Sequence, residues 1–185
     1  MENSLREEVL AKITPRKVEH TKGVIKSARE LAIKWGGNID DCEHAGLFHD
    51  ITKHLNEEEQ LNLCEKYDII VDDVERDSYK LLHAKTAASI AKHEYGMNED
   101  IYTAIKYHTT LRENMTLIEK ILYLADYIEE NRDFEGVDIA RKLAYKDIDE
   151  ALRYCLDTAI LDLLERGKLL HLDTVLARNY LYTKL

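Results

Sequence analysis

Gly46-Leu47-Phe48-His49-Asp50-Ile51-Thr52-Lys53 sets an imidazole, a carboxylate and an ammonium into an otherwise apolar stretch. Read as a helix, it puts Lys53 four residues after His49 and three after Asp50, so all three side chains lean to one side while Leu47, Phe48 and Ile51 pack. Histidine and aspartate suit a borderline divalent or trivalent cation, whereas a charged lysine ligates poorly but holds an anion such as phosphate. The stretch is therefore either a metal site with a phosphate clamp or a partly buried histidine satisfied by a polar neighbour. The doublet alone does not separate the two readings, and the rest of the chain bears on the choice.

With 185 residues the chain suits one domain, 1–185, in which 147–185 read as C-terminal packing helices. One proline and seven glycines in a sequence rich in Ala, Leu, Ile, Lys and Glu favour an all-α fold. A formal charge of -10 disfavours a long nucleic-acid partner but leaves room for a small phosphorylated ligand held through a metal. Cys42, Cys64 and Cys155 are widely spaced without a C-x-x-C pair, and read as reduced core thiols. No apolar leader or bilayer-length stretch is visible, so the expectation is a cytoplasmic protein with no membrane partner.

In chain order, Leu5, Val9 and Ile13 mark a first helix, and Thr14-Pro15 opens a second that runs to about Trp35. On it His20 lines up with Val24, Ala28 and Leu31, the core-facing side, as a buried imidazole or an inward ligand. Asp40 and Glu43 predict the cap of the helix carrying His49 and Asp50, which should end near His54, and Asn56 caps the next. The acidic run 68–77 lacks the glycine and terminal glutamate of a calcium loop and reads as a surface segment. Helical patterns follow over Tyr79–Tyr95, carrying His83, and from Asn98 to a polar end at His108-Thr109-Thr110. Thr116 and Glu119 form a capping box for Leu117–Glu129, in which Asp126 sits among apolar residues and needs a cation or several donors. Asn131–Gly136 is a polar turn containing Arg132. Helices from Asp147 and Asp173 complete the chain and read as packing without chemistry.

His20, His49-Asp50, His83, His108 and Asp126 follow an H...HD...H...H...D order that resembles the HD-domain superfamily of metal-dependent phosphohydrolases. Local context, from Glu19-His20-Thr21 through Tyr107-His108-Thr109-Thr110 to Tyr123–Val137, resembles the YqeK family of symmetrical bis(5'-nucleosyl)-tetraphosphatases. That resemblance implies an HD-domain helical bundle that cleaves diadenosine tetraphosphate into two ADP, with iron, or alternatively Mn, Co or Zn, as the metal. It makes His20, His49, Asp50 and Asp126 the primary ligands. His83 and His108 then face the phosphate chain or hold a second ion, Lys53, Arg132 and Arg16 contact phosphate, and Thr109 adds a hydroxyl. Asp50, Lys53, His83 and His108 form the catalytic set. Three positions depart from the family pattern: Leu111 replaces the usual glycine after His108-Thr109-Thr110, Glu130 the proline before Asn131-Arg132, and Glu135 the proline before Gly136.

Other readings remain at this point: an HD hydrolase of a guanosine alarmone or nucleoside monophosphate, a nucleotide- or metal-sensing module without turnover, or a helical interaction domain with structural histidines. His44, His54, His93 and His171 fall outside the pattern and read as surface or structural. Exposed faces of the C-terminal helices could serve a homodimer.

Overall fold

The computed structural model describes residues 3–183, so the outermost limits of the expected domain, 1–2 and 184–185, lie outside it. Eleven α-helices occur among the described residues, with no strand. They are α1 (Asn3–Ala11), α2 (Pro15–Trp35), α3 (Ile39–Phe48), α4 (Glu57–Lys66), α5 (Asp73–Asp77), α6 (Leu82–Tyr95), α7 (Glu99–Lys106), α8 (Leu117–Ile128), α9 (Val137–Ala144), α10 (Ile148–Glu165) and α11 (Leu172–Tyr182). A 3-10 turn, Tyr79–Leu81, leads into α6. The all-α expectation therefore holds.

The helices begin and end where local chemistry satisfies their free backbone groups. Pro15 occupies the first turn of α2, where its missing N–H costs nothing, although the Thr14 side chain makes no cap bond. Asn56, Asn98 and Asp147 accept from first-turn amides as expected, and Thr116 with Glu119 closes its capping box. Two caps differ from expectation. Asn38, rather than Asp40, accepts from Asp41 N at 3.2 Å and opens α3. His171 Nδ1 accepts from Asp173 N at 3.1 Å, so the histidine and not Asp173 caps α11.

The core lies where α2, α3, α7 and α8 meet, filled by Leu31, Leu47, Phe48, Ile105, Ile121, Leu122 and Leu124, with Leu152 and Leu156 of α10 joining it. Gly46 lets α3 lie directly on α2: a β-carbon there would come within 3.3 Å of the Ile25 Cα. That contact brings the His49-Asp50 pair against the helix that carries His20. All three cysteines are buried, and burial pushes the Cys42 and Cys155 thiols up to about 12, so they behave as reduced core residues. Among the described residues no helix is long and apolar enough to cross a membrane. Leu161, Leu164 and Leu172 of the last two helices are exposed.

α9 went unread in the sequence because it spans only eight residues and opens at Gly136, φ 89°, without a capping side chain to mark its start. It buttresses the loop after α8. Arg141 donates to the carbonyls of Ile128, Glu129 and Arg132 at 3.0, 2.9 and 2.7 Å, satisfying groups that the end of α8 leaves open.

Leu111, the position where the family pattern has glycine, adopts φ 56°, left-handed backbone, and is fully buried in the core. The conformation costs an L-residue about 1–2 kcal/mol, which the buried side chain offsets. Leu111→Gly relieves the strain and opens a cavity worth about 2–5 kcal/mol, so a net loss of about 1–3 kcal/mol is expected in urea unfolding. Equal or greater stability in the glycine variant would refute this account of the position.

Candidate metal centre and substrate cavities

The segment after α3 is not a continued helix. The helix stops at Phe48, and residues 49–54 follow as tight turns with Ile51 N to Phe48 O at 3.1 Å, Lys53 N to Asp50 O at 3.0 Å and Leu55 N to Thr52 O at 3.0 Å. The expectation of a helix reaching His54 is corrected: the hydrogen bonds shorten from four residues to three. A buried polar network holds these turns. The Thr52 hydroxyl donates to His83 O at 3.0 Å, the Gln60 amide donates to Thr52 O at 2.7 Å, and the Thr86 hydroxyl donates to Gln60 Oε1 at 2.7 Å.

Four imidazoles and two carboxylates converge there from five parts of the chain: His20 from α2, His49 and Asp50 from the turns, His83 from α6, His108 from just after α7, and Asp126 from α8. Each imidazole turns Nδ1 outward to an acceptor. His49 donates to Gly46 O at 2.8 Å, His83 to Lys80 O at 2.5 Å, His108 to Ile105 O at 2.7 Å, and His20 to Glu129 Oε1 at 3.2 Å. A neutral imidazole that donates through Nδ1 presents only a lone pair at Nε2. Those lone pairs face one another inside: His20 Nε2 lies 3.3 Å from His49 Nε2, and His83 Nε2 lies 3.2 Å from His108 Nε2. Two facing lone pairs repel, and a cation between them removes the conflict, so the donor set fits metal binding.

Asp50 joins the two pairs. Its Oδ2 lies 3.7 Å from His20 Nε2 and 3.5 Å from His49 Nε2, and its Oδ1 lies 3.2 Å from His83 Nε2 and 3.7 Å from His108 Nε2. Two clusters able to hold a metal therefore share one carboxylate, and Asp126 Oδ1, 3.1 Å from His20 Nε2, extends the first. Oδ1 of Asp50 is buried without a well-directed hydrogen bond, its charge met by the Lys53 ammonium at 3.0 Å.

Protonation agrees with this role. Burial lowers His49 to about 4 and also lowers His83, so both stay neutral. Burial works against ionisation of Asp50 and Asp126, yet both carboxyls are held well below the usual range, with the Lys53 ammonium near both and the Arg132 guanidinium beside Asp126.

Around the ligands stand the cations. Lys53 Nζ lies 3.0 Å from Asp50 Oδ1 and Lys17 Nζ 3.2 Å from Asp50 Oδ2; both side chains are 34% exposed, enough to reach a phosphate in the opening. Arg132 donates through Nε to Asp126 O at 2.8 Å and through Nη2 to Asp126 Oδ1 at 2.5 Å, so it orients that carboxylate as well as facing the opening. Arg16 is exposed on the rim, and Thr109 sits beside His108.

Two cavities open from this centre. One, of about 700 Å³, reaches His108, Asp126 and Arg132 and extends past Tyr127 and Phe134 to Thr158, Asp162 and Arg166 of α10. The other, of about 480 Å³, reaches His20 and is lined by Arg16, Lys17, Lys53 and Arg132. They meet at the His20–Asp126 pair and share Arg132.

Sequence reasoning missed Lys17, Glu129 and the α10 wall. Lys17 lies three residues before His20 and Glu129 three after Asp126, so each shares a helical side with a ligand, and that spacing was the available signal. Glu129 is buried, and beyond His20 it accepts from Asn131 N at 2.7 Å and Asn131 Nδ2 at 2.9 Å.

Residues 18–131 match the HD domain family, a segment that contains all six candidate ligands. The symmetrical bis(5'-nucleosyl)-tetraphosphatase of Bacillus subtilis strain 168 is 38% identical over 181 residues, covering 95% of this chain and 97% of the relative. This chain belongs to that family of HD-domain hydrolases. The protein of the same name from Halalkalibacterium halodurans is 36% identical over 91% of this chain and 90% of its own length. A crystal structure of a predicted HD superfamily hydrolase involved in NAD metabolism, from Clostridium acetobutylicum, superposes with a TM-score of 0.95 at 35% identity over 99% of this chain and 97% of that one. The HD segment thus contains the candidate ligands, while α10, beyond its end, supplies part of a cavity wall.

Proposed function

We propose that this HD-domain hydrolase cleaves dinucleoside tetraphosphates, diadenosine tetraphosphate first among them, at the central phosphoanhydride to give two nucleoside diphosphates. The observation that carries the reading is the two facing Nε2 pairs joined by Asp50, beside two cavities that meet at the ligands. The names of the relatives support the substrate.

His20, His49, Asp50 and Asp126 would hold one iron, and His83, His108 and the other oxygen of Asp50 a second. When bound, the metal lowers the pKa of water and neutralises charge on the attacked phosphorus. The protein's own groups do the rest. Lys17, Lys53, Arg132 and Arg16 bind the phosphate oxygens, placing positive charge where negative charge develops on the bridging and leaving oxygens. Arg132, shared by both cavities, holds the chain across the centre so that two phosphates fall on each side. Thr109 donates to a phosphate oxygen beside His108. Glu129 and the carbonyls behind His49, His83 and His108 keep every imidazole in the ligating tautomer. The setting is the cytoplasm, where the nucleotide substrate is available.

Product analysis tests the reading. Purified protein of known iron content, given diadenosine tetraphosphate, should yield ADP as sole product at a rate that follows bound iron. AMP plus ATP would retain hydrolysis but refute the central cut, and no turnover with metal bound would refute the substrate.

A further inference from the structure

The two cavities differ in kind. The larger has aromatic walls: the Tyr127 and Phe134 rings meet edge to face, centroids 5.1 Å apart at 88°. Phe134 is the one apolar residue in the polar run 131–136 and is 39% exposed, and it faces the cavity that leads to His108 and Asp126. Its loop is fixed: Val137 N donates to Phe134 O at 3.2 Å, and Tyr154 Oη donates to Gly136 O at 3.3 Å. A solvent-reaching ring held rigidly beside a catalytic centre is a surface for a planar group. The smaller cavity offers charge and the imidazoles of His20 and His54 but no phenyl, phenol or indole ring, with Arg16, Lys17, Lys53 and Arg132 opposed by Glu19 and Glu129.

We infer that the two halves of the symmetric substrate are held unequally: one nucleobase stacks in the Tyr127–Phe134 cavity, while the other half is gripped by its phosphates alone. The inference rests on the tetraphosphatase reading and adds which half is recognised, and by what. Recognition of the base by stacking tolerates different bases, since every base has a π-face. The second nucleoside then contributes nothing to turnover, and a tetraphosphate carrying a single nucleoside should be an equivalent substrate: water adds across the central anhydride of adenosine 5'-tetraphosphate to give ADP and pyrophosphate.

The test compares diadenosine tetraphosphate with adenosine 5'-tetraphosphate on the metal-loaded wild-type enzyme, Phe134→Ala and Phe134→Trp. In the wild type the two kcat/KM values should agree within about threefold, and Phe134→Ala should raise KM about tenfold for both substrates with kcat and metal content nearly unchanged. Phe134→Trp should restore KM, which a merely structural role for the ring would not predict. A single-nucleoside substrate cleaved about a hundredfold less efficiently than the dinucleotide would show that the second base is also bound, and overturn the inference. An unchanged KM in Phe134→Ala would do the same. Failure of the wild type on both nucleotides would instead overturn the reading of the reaction.

Discussion

Asp50→Ala should lose both metal clusters together and reduce kcat/KM by about four orders of magnitude, because several kcal/mol of charge stabilisation leave with the ions. The expectation follows from the sharing of one carboxylate: Oδ2 serves His20 and His49 while Oδ1 serves His83 and His108. His83→Ala, by contrast, removes a ligand from one cluster only, and should leave the metal at His20, His49 and Asp126 in place. Metal analysis of the two purified variants, with circular dichroism to verify helix content, separates the cases. If Asp50→Ala kept its full metal complement, the bridging role would be wrong. Lys17 and Lys53 lose their partner in this variant, but both are open enough to turn to water, so the fold should survive.

The second large effect is expected away from the ligands. Glu129→Ala should weaken metal binding about 10- to 100-fold, the usual cost of removing the acceptor behind a ligating histidine. His20 then loses the bond that fixes its tautomer, and Nε2 is no longer committed to the centre. Gly23 supplies an independent route to the same result. A β-carbon at position 23 would strike the Glu129 carboxylate and come within 3.3 Å of Asn131 Nδ2, so Gly23→Ala should displace Glu129 without touching any ligand. Chelator competition on wild type, Glu129→Ala and Gly23→Ala should order them with wild type tightest and both variants weaker. Wild-type affinity in both would show that Glu129 is structural only.

The all-helical architecture could be read from the sequence because glycine and proline are scarce and apolar residues recur at helical spacing over most of the chain. The convergence of the candidate ligands could be read because histidines and aspartates placed on core-facing sides far apart in sequence have few structural explanations in common. The structure gathers all six. What was hidden has physical reasons. The stop of α3 at Phe48 depends on Thr52, Gln60 and Thr86 bonding across three segments, and periodicity carries no trace of it. Glu129 resembles any glutamate at a helix end until burial and His20 give it a partner. α9 is short and starts without a capping side chain, and its importance lies in the three carbonyls that Arg141 binds.

Thr158, Asp162 and Arg166 line the larger cavity from α10, beyond the HD segment that ends at residue 131. The wall of that cavity is therefore drawn from both lengths of chain: Tyr123 and Tyr127 from within the HD segment, Thr158 and Asp162 from beyond it. A substitution at Thr158 or Asp162 changes the width and charge of the cavity without touching any of the six candidate ligands.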